Sequence, residues 1–328
     1  MWLLKAVRNF VLALGGLIGI ILVANLSFWE GPPKDAEIKL IAHRGVHQTF
    51  PSEGLTNETC TAKIIHTPTH DYLENTIPSI LAAFEHGADV VEIDVIKTAD
   101  DEFAVFHDYT LDCRTNGTGR TKDHTLAELK TLDIGYGYTA DNGRTFPFRG
   151  KGTGFLPSLR DVLNAFPDKP FLINVKSNRP GDALVLLSYL TEKEREDLDR
   201  LSLFSGPKFA EAWTAGGGGL TVGTRRGAKD CTLGYLKTGW FGHVPETCKQ
   251  FGIAVPQGLG WIYPGWPHRL ATRAEKAGAQ IVLIGPNTKF STGIDTIEQF
   301  DKIPAGFNGW VSTDRIEVIG PLVHSRPQ

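Results

Sequence analysis

Polar residues stand at four short apolar runs of this 328-residue chain, where their side chains could act together. In chain order they are His43-Arg44, Glu92-Ile93-Asp94, His107-Asp108 and Asn174-Val175-Lys176. Side chains two residues apart in a strand point to the same face, so Glu92 shares a face with Asp94, and Asn174 shares one with Lys176. Imidazoles, carboxylates and cations gathered at one edge of a sheet can support acid–base and metal-assisted chemistry.

The carboxylates of Glu92 and Asp94 repel each other in a strand interior and raise each other's pKa unless a positive charge lies between them. A hard divalent cation, Mg²⁺ or Ca²⁺, is the simplest such charge, because both ions prefer oxygen ligands. Asn174 could add a neutral carbonyl oxygen to the same ion, whereas Lys176 could bind a phosphate or balance the carboxylates. The alternative is a salt-bridged or solvated carboxylate pair that holds no metal.

Two histidines, His43 and His107, each follow an apolar run directly, and a single histidine in such a place is often only packed. Their occurrence at matching strand ends near a carboxylate pair favours catalysis instead. Imidazole titrates near neutral pH, so one ring can act as general base and the other as general acid. Arg44 offers a planar fork of donors that suits phosphate oxygens, or it could pair with a carboxylate.

Strand-like and helical runs alternate along the part of the chain that would hold these residues. The strand candidates are 38–42, 89–96, 102–106, 170–175, 201–204, 220–224, 280–284 and 309–312. Eight strands with intervening helices predict an α/β fold, a TIM-type (β/α)8 barrel with its active site at the carboxyl ends of the strands. An open doubly wound sheet shows similar alternation, but no GxGxxG motif follows the first strand. Residues 46–73 interrupt the alternation, and we interpret this insertion as a stapled flap over one mouth of the barrel.

The N-terminal segment differs in character from the rest of the chain. Residues 10–29 carry no charge and are long enough to cross a bilayer as a single transmembrane helix. Lys5 and Arg8 precede them, which predicts residues 1–9 in the cytoplasm, an anchor at 10–29, and the remaining chain on the periplasmic or extracellular side. A cleaved signal peptide is the alternative, and it also exports the chain. Residues 30–37 then form a linker to a catalytic domain at 38–328, and a net charge of −3 argues against a nucleic-acid partner.

Four cysteines fit an exported protein in an oxidising compartment. Cys60, Cys113, Cys231 and Cys248 allow three complete pairings. Cys231 and Cys248 flank one short segment, which favours that bridge and, by elimination, Cys60–Cys113. Four buried thiols are the alternative.

The motifs, in their order along residues 38–322, resemble the glycerophosphodiester phosphodiesterase family. The matching stretches are Ile41-Ala42-His43-Arg44-Gly45, Glu74-Asn75-Thr76, 87–95, Val105-Phe106-His107-Asp108, 114–119, Leu156-Pro157-Ser158-Leu159 and Ser312-Thr313-Asp314. The resemblance implies a TIM-type barrel that hydrolyses glycerophosphodiesters to an alcohol and glycerol 3-phosphate, with a divalent cation as cofactor. The site residues that it implies are His43 and His107 as acid and base, Glu92 and Asp94 on the cation, Arg44 and Lys176 on the phosphate, and Glu74 beside the cation, as ligand or as support of a ligand.

Two departures from the family pattern bear on the cation and the substrate. The family usually has Glu-x-Lys where this chain has Asn174-Val175-Lys176, so a third ligand would be neutral and should weaken metal affinity or change metal preference. Residues 282–287 replace the family's usual Trp-Thr-Val-Asn run, which affects the substrate pocket. The alternatives are lysophospholipase D-type hydrolysis of membrane lysophospholipids, or a catalytically weakened barrel that binds a phospholipid headgroup or a protein.

Overall fold

The computed structural model describes residues 2–51, 53–56, 59–190, 200–220, 222–286 and 292–325. Its strands are β1 (Ile38–His43), β2 (Val90–Lys97), β3 (Phe103–Val105), β4 (Phe171–Val175), β5 (Leu201–Phe204), β6 (Val222–Gly223), β7 (Ile253–Pro256), β8 (Ile281–Ile284) and β9 (Gly309–Thr313). Its α-helices are α1 (Trp2–Ala24), α2 (Ile77–Glu85), α3 (Leu126–Lys130), α4 (Leu159–Ala165), α5 (Pro180–Tyr189), α6 (Pro207–Ala215), α7 (Arg225–Thr238), α8 (Cys248–Phe251), α9 (His268–Lys276), α10 (Ile297–Phe300) and α11 (Ile316–Ser325). Helices thus separate most consecutive strands, as an α/β barrel requires.

One parallel sheet organises the domain, in the order β6-β5-β4-β2-β1-β9-β8-β7. β1 lies near its centre, where Ala42 is opposite Val91 of β2 and Thr313 of β9. Within the described residues the ladder does not join β6 to β7. The predicted fold class, α/β with the parallel sheet of a TIM-type barrel, is confirmed.

The predicted set of eight strands is wrong in one member. The predicted strand 102–106 is β3, which pairs with β2 in the antiparallel sense and stands outside the parallel path. Residues 98–102 are too few for the crossover of a dozen or more residues that a parallel neighbour needs, so the chain turns straight back. The eighth parallel strand is β7, which the prediction missed because it follows Gly252 and ends at Pro256, and both residues are typical of loops.

The main core is built from the buried faces of the sheet and the helices around it. Leu40, Ile93, Ile173 and Val311 come from four neighbouring strands, and none is more than 1% exposed. Six consecutive residues of β2 are buried, as expected for a strand covered on both faces. The sheet therefore gives rigid support to the polar side chains at its carboxyl edge.

The insertion 46–73 contributes to a second, smaller core. Its residues Ala62, Ile65 and Leu73 pack in a cluster with Leu129 and Phe148. The bridge Cys60–Cys113 ties the insertion to the segment after β3, and Cys231–Cys248 closes the second pair. Both predicted disulfides are confirmed, and the insertion is stapled as expected.

The N-terminal helix α1 covers Trp2–Ala24, so it begins and ends earlier than the predicted span 10–29. Its 23 residues extend about 34 Å, enough for a hydrocarbon layer of about 30 Å. None of its side chains is buried against the domain. A membrane anchor and a signal sequence both have this length and composition.

The residues after α1 are attached to the domain by specific hydrogen bonds. Asn25, 7% exposed, donates to the carbonyl of Trp240 at 2.9 Å and accepts from Arg273 Nη1 at 2.8 Å. Ser27 Oγ accepts from the backbone N–H of His268 at 2.9 Å and so caps the start of α9. The connection then reaches Glu37, whose carbonyl accepts from the N–H at the start of β9. The segment after α1 therefore joins the domain at the edge where the strands begin.

Candidate active site

A strained turn after β1 places the first two predicted site residues. Arg44 has φ +59° and Gly45 has φ +77°, both in the left-handed region. A Cβ at position 45 would lie 2.3 Å from Ser79 Oγ, so only glycine fits there. The carbonyl of Arg44 accepts from the N–H of Asn75, which has φ +60°. These three left-handed residues turn the chain sharply at the carboxyl edge of the sheet, where backbone strain is typical of functional sites.

His43 is oriented by Asp314 from the neighbouring strand end. β9 ends at Thr313, beside Ala42, so the next residue, Asp314, falls next to His43. His43 Nδ1 lies 2.5 Å from Asp314 Oδ1. Burial and the charge of Arg44 act to lower the pKa of His43, but Asp314 and Glu92 outweigh them and raise it above its ordinary value. The carboxylate fixes the ring, and the other nitrogen, Nε2, accepts from Arg44 Nε at 3.2 Å and is the one that could exchange a proton.

His107 has a matching arrangement, reached by a different route. The antiparallel hairpin of β2 and β3 returns the chain, and the N–H of Phe106 donates to the carbonyl of Asp94 at 2.9 Å. His107 therefore stands beside the carboxylates although β3 runs opposite to the other strands. Its Nδ1 lies 2.6 Å from Asp108 Oδ1. Burial, followed by the charge of Arg44, lowers the pKa of His107.

Asp94 is fully buried and surrounded by donors. Its Oδ1 lies 2.8 Å from Lys176 Nζ and accepts from Asn174 Nδ2 at 3.0 Å. Its Oδ2 lies 3.2 Å from Arg44 Nε and accepts from Asn75 Nδ2 at 3.2 Å. Burial alone would raise the pKa of this carboxyl, but Lys176 and Arg44 hold it well below its usual range. Asp94 is therefore a carboxylate that positions two cations.

Glu92 is the less satisfied member of the carboxylate pair. Its Oε2 is buried, has no hydrogen-bond partner among the described residues, and lies 3.9 Å from His43 Nε2. Burial and the neighbouring charge of Asp94 raise the pKa of Glu92. A buried carboxylate oxygen without a donor is destabilised, and a bound cation would relieve that cost.

Glu74 and Arg114 form a buried ion-pair network behind Arg44. The two oxygens of Glu74 lie 3.1 Å from Arg44 Nη1 and 2.9 Å from Arg114 Nη1. Arg114 also donates to Asp108 Oδ2 at 2.8 Å and to Thr61 Oγ1 at 2.7 Å. Burial acts to raise the pKa of Glu74, but the two guanidinium groups lower it. The network connects the support of Arg44 to the carboxylate that holds His107.

The oxygen donors in this site fit the divalent cation that the sequence predicts. Glu92 offers an unpartnered oxygen, and Asn174 uses its amide nitrogen toward Asp94, which leaves its carbonyl oxygen for a cation. Both oxygens of Asp94 are already engaged, Oδ1 by Lys176 and Oδ2 by Arg44, so a cation would share them with these groups. Glu74 likewise has each oxygen paired, in its case with a guanidinium. These contacts favour Glu92 as the centre of a cation site and Glu74 as the support of Arg44.

A second group with potential ligands lies next to this one. His43, His47 and Asp314 each place one ligand atom within 4.8 Å of the others. His47 comes from the insertion, has a side chain 2% exposed, and lies 3.7 Å from Asp314. Imidazole ligands suit transition metals better than Mg²⁺ or Ca²⁺. His43 Nδ1 already contacts Asp314 Oδ1, so we treat Asp314 as the residue that orients His43.

All eight predicted site residues lie in one connected set of contacts, and their chemical roles stay predictions. The set comprises His43, Arg44, Glu74, Glu92, Asp94, His107, Asn174 and Lys176, and His107 joins it through Asp108 and Arg114. The prediction missed the positions of four supporting residues, Asn75, Asp314, Arg114 and His47. The first three lie within motifs that carry the family resemblance, and that was the available signal. His47 had no such signal in the sequence, because it lies in the insertion and outside those motifs.

Comparison with known proteins identifies relatives of this site. Residues 43–202 match the model of the Glycerophosphoryl diester phosphodiesterase family. A glycerophosphodiester phosphodiesterase of Caldanaerobacter subterraneus subsp. tengcongensis is 41% identical over 137 residues, which are 40% of this chain and 53% of that protein. The chain thus spans about half the length of this curated relative.

Two solved structures share the fold at low sequence identity. The glycerophosphodiester phosphodiesterase of Agrobacterium tumefaciens str. C58 has a TM-score of 0.59 and 20% identity, and the match covers 88% of this chain and all of that one. A phosphodiesterase of Oleispira antarctica, in complex with the product sn-glycerol-3-phosphate, has a TM-score of 0.52 and 18% identity over 87% of this chain and 96% of that one. These similarities establish the barrel fold.

Proposed function

Because residues 43–202 belong to the glycerophosphoryl diester phosphodiesterase family, we propose that this chain hydrolyses glycerophosphodiesters to an alcohol and glycerol 3-phosphate. The observation that carries the proposal is the pair of carboxylate-oriented imidazoles, His43 and His107, together with two cations, Arg44 and Lys176, that Asp94 holds. The Oleispira antarctica phosphodiesterase, solved with sn-glycerol-3-phosphate, supports that product.

The phosphate would be held by Arg44 and Lys176. Both cations contact Asp94, at 3.2 and 2.8 Å, and this contact fixes their direction. Their charges would stabilise the negative charge that develops on the phosphoryl oxygens. Glu74 pairs with Arg44, and Asn75 donates to Asp94, the carboxylate that both cations contact. These two contacts keep Arg44 and Asp94 in place.

The two imidazoles would move the protons. Asp314 and Asp108 each take up Nδ1 of one ring, which leaves Nε2 to exchange a proton with the substrate. One ring would remove a proton from the nucleophile, either water or a neighbouring hydroxyl that first gives a cyclic phosphate. The other would protonate the departing alcohol oxygen. Each such role contributes about 10²–10⁴-fold to the rate.

A divalent cation, Mg²⁺ or Ca²⁺, would be held by Glu92 with Asp94 and the carbonyl oxygen of Asn174. When bound, such a cation supplies positive charge that stabilises the transition state. The neutral Asn174 lowers the negative charge of the ligand set. We therefore expect weaker cation binding than in a site with three carboxylates.

The position of the anchor favours water-soluble diesters over membrane lysophospholipids. Asn25 and Ser27 attach the end of α1 at the edge where the strands begin. The candidate site lies at the other edge, and β1 with its six residues separates the two by about 20 Å. With α1 as a single anchor and the domain on the non-cytoplasmic side, the site would face away from the bilayer.

The experiment that tests this function is a hydrolysis assay on the purified chain. Glycerophosphocholine and lysophosphatidylcholine vesicles are supplied separately, with EDTA or with added Mg²⁺ or Ca²⁺, and glycerol 3-phosphate and lysophosphatidate are measured. We expect glycerol 3-phosphate from the soluble diester, suppressed by EDTA and restored by cation. Release of lysophosphatidate alone would contradict the proposed function and indicate lysophospholipase D-type hydrolysis instead. Binding without turnover of either would indicate a catalytically inactive barrel.

A further inference from the structure

A groove of about 700 Å³ opens directly beside the candidate active site. It shares Asn174 and Lys176 with that site. A cavity of this size can hold a molecule considerably larger than a glycerol fragment. One ester substituent of a diester bound at Lys176 would therefore extend into this groove.

The lining of the groove is strongly basic, although the chain as a whole carries a net charge of −3. Only Asp182 among its lining residues is acidic, and its carboxylate accepts from Ser177 Oγ. The cations that line it are Lys97, Arg120, Lys122, Lys176, Arg179 and Arg225. Concave sites lined by one sign of charge concentrate ligands of the opposite sign.

Three of these cations have no acidic partner among the residues that the structure describes. Within the described part of the chain, the guanidinium groups of Arg120, Arg179 and Arg225 have no carboxylate within 4.0 Å. In contrast, Arg226, the next residue after Arg225, lies 3.7 Å from Asp230 and does not line the groove. Unpaired guanidinium groups around one cavity repel each other, and a bound anion would offset that repulsion.

We propose that this basic groove receives the alcohol part of the diester and selects alcohols that carry a second phosphate group. The inference rests on the proposed function and adds to it a substrate class. A planar guanidinium binds phosphate oxygens through two parallel hydrogen bonds, which suits a phosphate better than a hydroxyl or an amine. Arg120, Arg179 and Arg225 are then specificity residues, whereas Lys176 serves both the groove and the reacting phosphate.

The test compares three substrates that share the glycerol phosphate part. They are glycerophosphocholine, glycerophosphoglycerol, and glycerophosphoglycerol carrying a terminal phosphate. We expect the phosphorylated diester to have the highest kcat/KM, by about tenfold over glycerophosphoglycerol, with the advantage decreasing as salt rises from about 50 to about 500 mM. Equal values for the last two diesters at low salt would overturn the proposal.

Substitutions of the groove arginines test which residues cause the preference for the phosphorylated diester. Arg225→Gln should lower kcat/KM for the phosphorylated diester about threefold, and Arg120→Gln/Arg179→Gln/Arg225→Gln by about tenfold or more, with glycerophosphoglycerol unaffected. Arg226→Gln is the matched control and should change neither substrate. A triple variant that keeps the full preference would contradict the assignment.

A binding measurement separates this inference from the proposed function. Absence of turnover on all three diesters would refute the function, but calorimetry with the phosphorylated and unphosphorylated diesters still tests the groove. We expect tighter binding of the phosphorylated diester to the unaltered chain, and loss of that difference in the triple variant. Turnover together with equal affinities for the two diesters would contradict the groove proposal but not the proposed function.

Discussion

Removal of the disulfide Cys60–Cys113 should reduce activity as well as stability. Thr61 follows the first cysteine and Arg114 follows the second, and Arg114 Nη2 donates to Thr61 Oγ1 at 2.7 Å. Arg114 also holds Glu74 and Asp108. The bridge therefore fixes the base of the network that orients Arg44 and His107.

The magnitudes can be worked out by comparison with the other bridge. Cys60–Cys113 closes a separation of 53 residues and Cys231–Cys248 one of 17. The chain-entropy treatment gives about 4 and about 3 kcal/mol of stabilisation. Removal of either should therefore cost a similar free energy of unfolding. Only Cys60→Ser/Cys113→Ser should also lower kcat/KM, by about 10- to 100-fold, because it loosens a residue that positions catalytic groups.

The assay measures denaturant unfolding and glycerol 3-phosphate release for both double variants, at a temperature where both remain folded. Cys231→Ser/Cys248→Ser is the control for a bridge lost away from the site. An unchanged kcat/KM for Cys60→Ser/Cys113→Ser in the folded state would refute the reasoning. Equal activity losses in the two variants would also contradict it, because stability alone would then account for the effect.

Other perturbations have distinct expected outcomes. Asp314 raises the pKa of His43, so with His43 as the general acid, Asp314→Asn should move the alkaline limb of the pH–rate profile to lower pH, and an unmoved limb would exclude that support. Asn174→Glu should tighten Ca²⁺ binding in titration calorimetry; equal affinity would mean that residue 174 is not a ligand. Asn25→Ala should lower the free energy of unfolding by about 1–3 kcal/mol without changing kcat, because it removes buried hydrogen bonds to Trp240 and Arg273. A stability loss below the error of denaturant unfolding would show that this attachment contributes nothing.

Much of the fold followed from the alternation of apolar runs, and the errors have physical causes. A short apolar segment looks the same in sequence whether it continues the parallel sheet or turns back on its neighbour. Only the length of the connection separates the two cases, and residues 98–102 are too short for a crossover. β7 escaped prediction because it follows Gly252 and ends at Pro256, and both residues are typical of loops.

The sequence indicated which residues form the site, but it did not indicate which of their side chains contact each other. Strand ends indicated where His43 and Glu92 would meet, because β1 and β2 pair in parallel with these two residues opposite each other. Asp314 lies 271 residues from His43 in the chain, and no local pattern indicates such a pair. The unequal surroundings of Glu92 and Asp94 also depend on which cations reach each one, and only the packed structure decides that.

The most direct test of the central claim is the rate of glycerophosphodiester hydrolysis by His107→Ala, with His124→Ala as control. His124 Nε2 donates to the carbonyl of Thr118 at 3.1 Å, outside the candidate site. We expect kcat to fall about 10²–10⁴-fold in His107→Ala, with unchanged unfolding, and to be unaffected in His124→Ala. Wild-type turnover by folded His107→Ala would contradict cleavage by two carboxylate-oriented imidazoles.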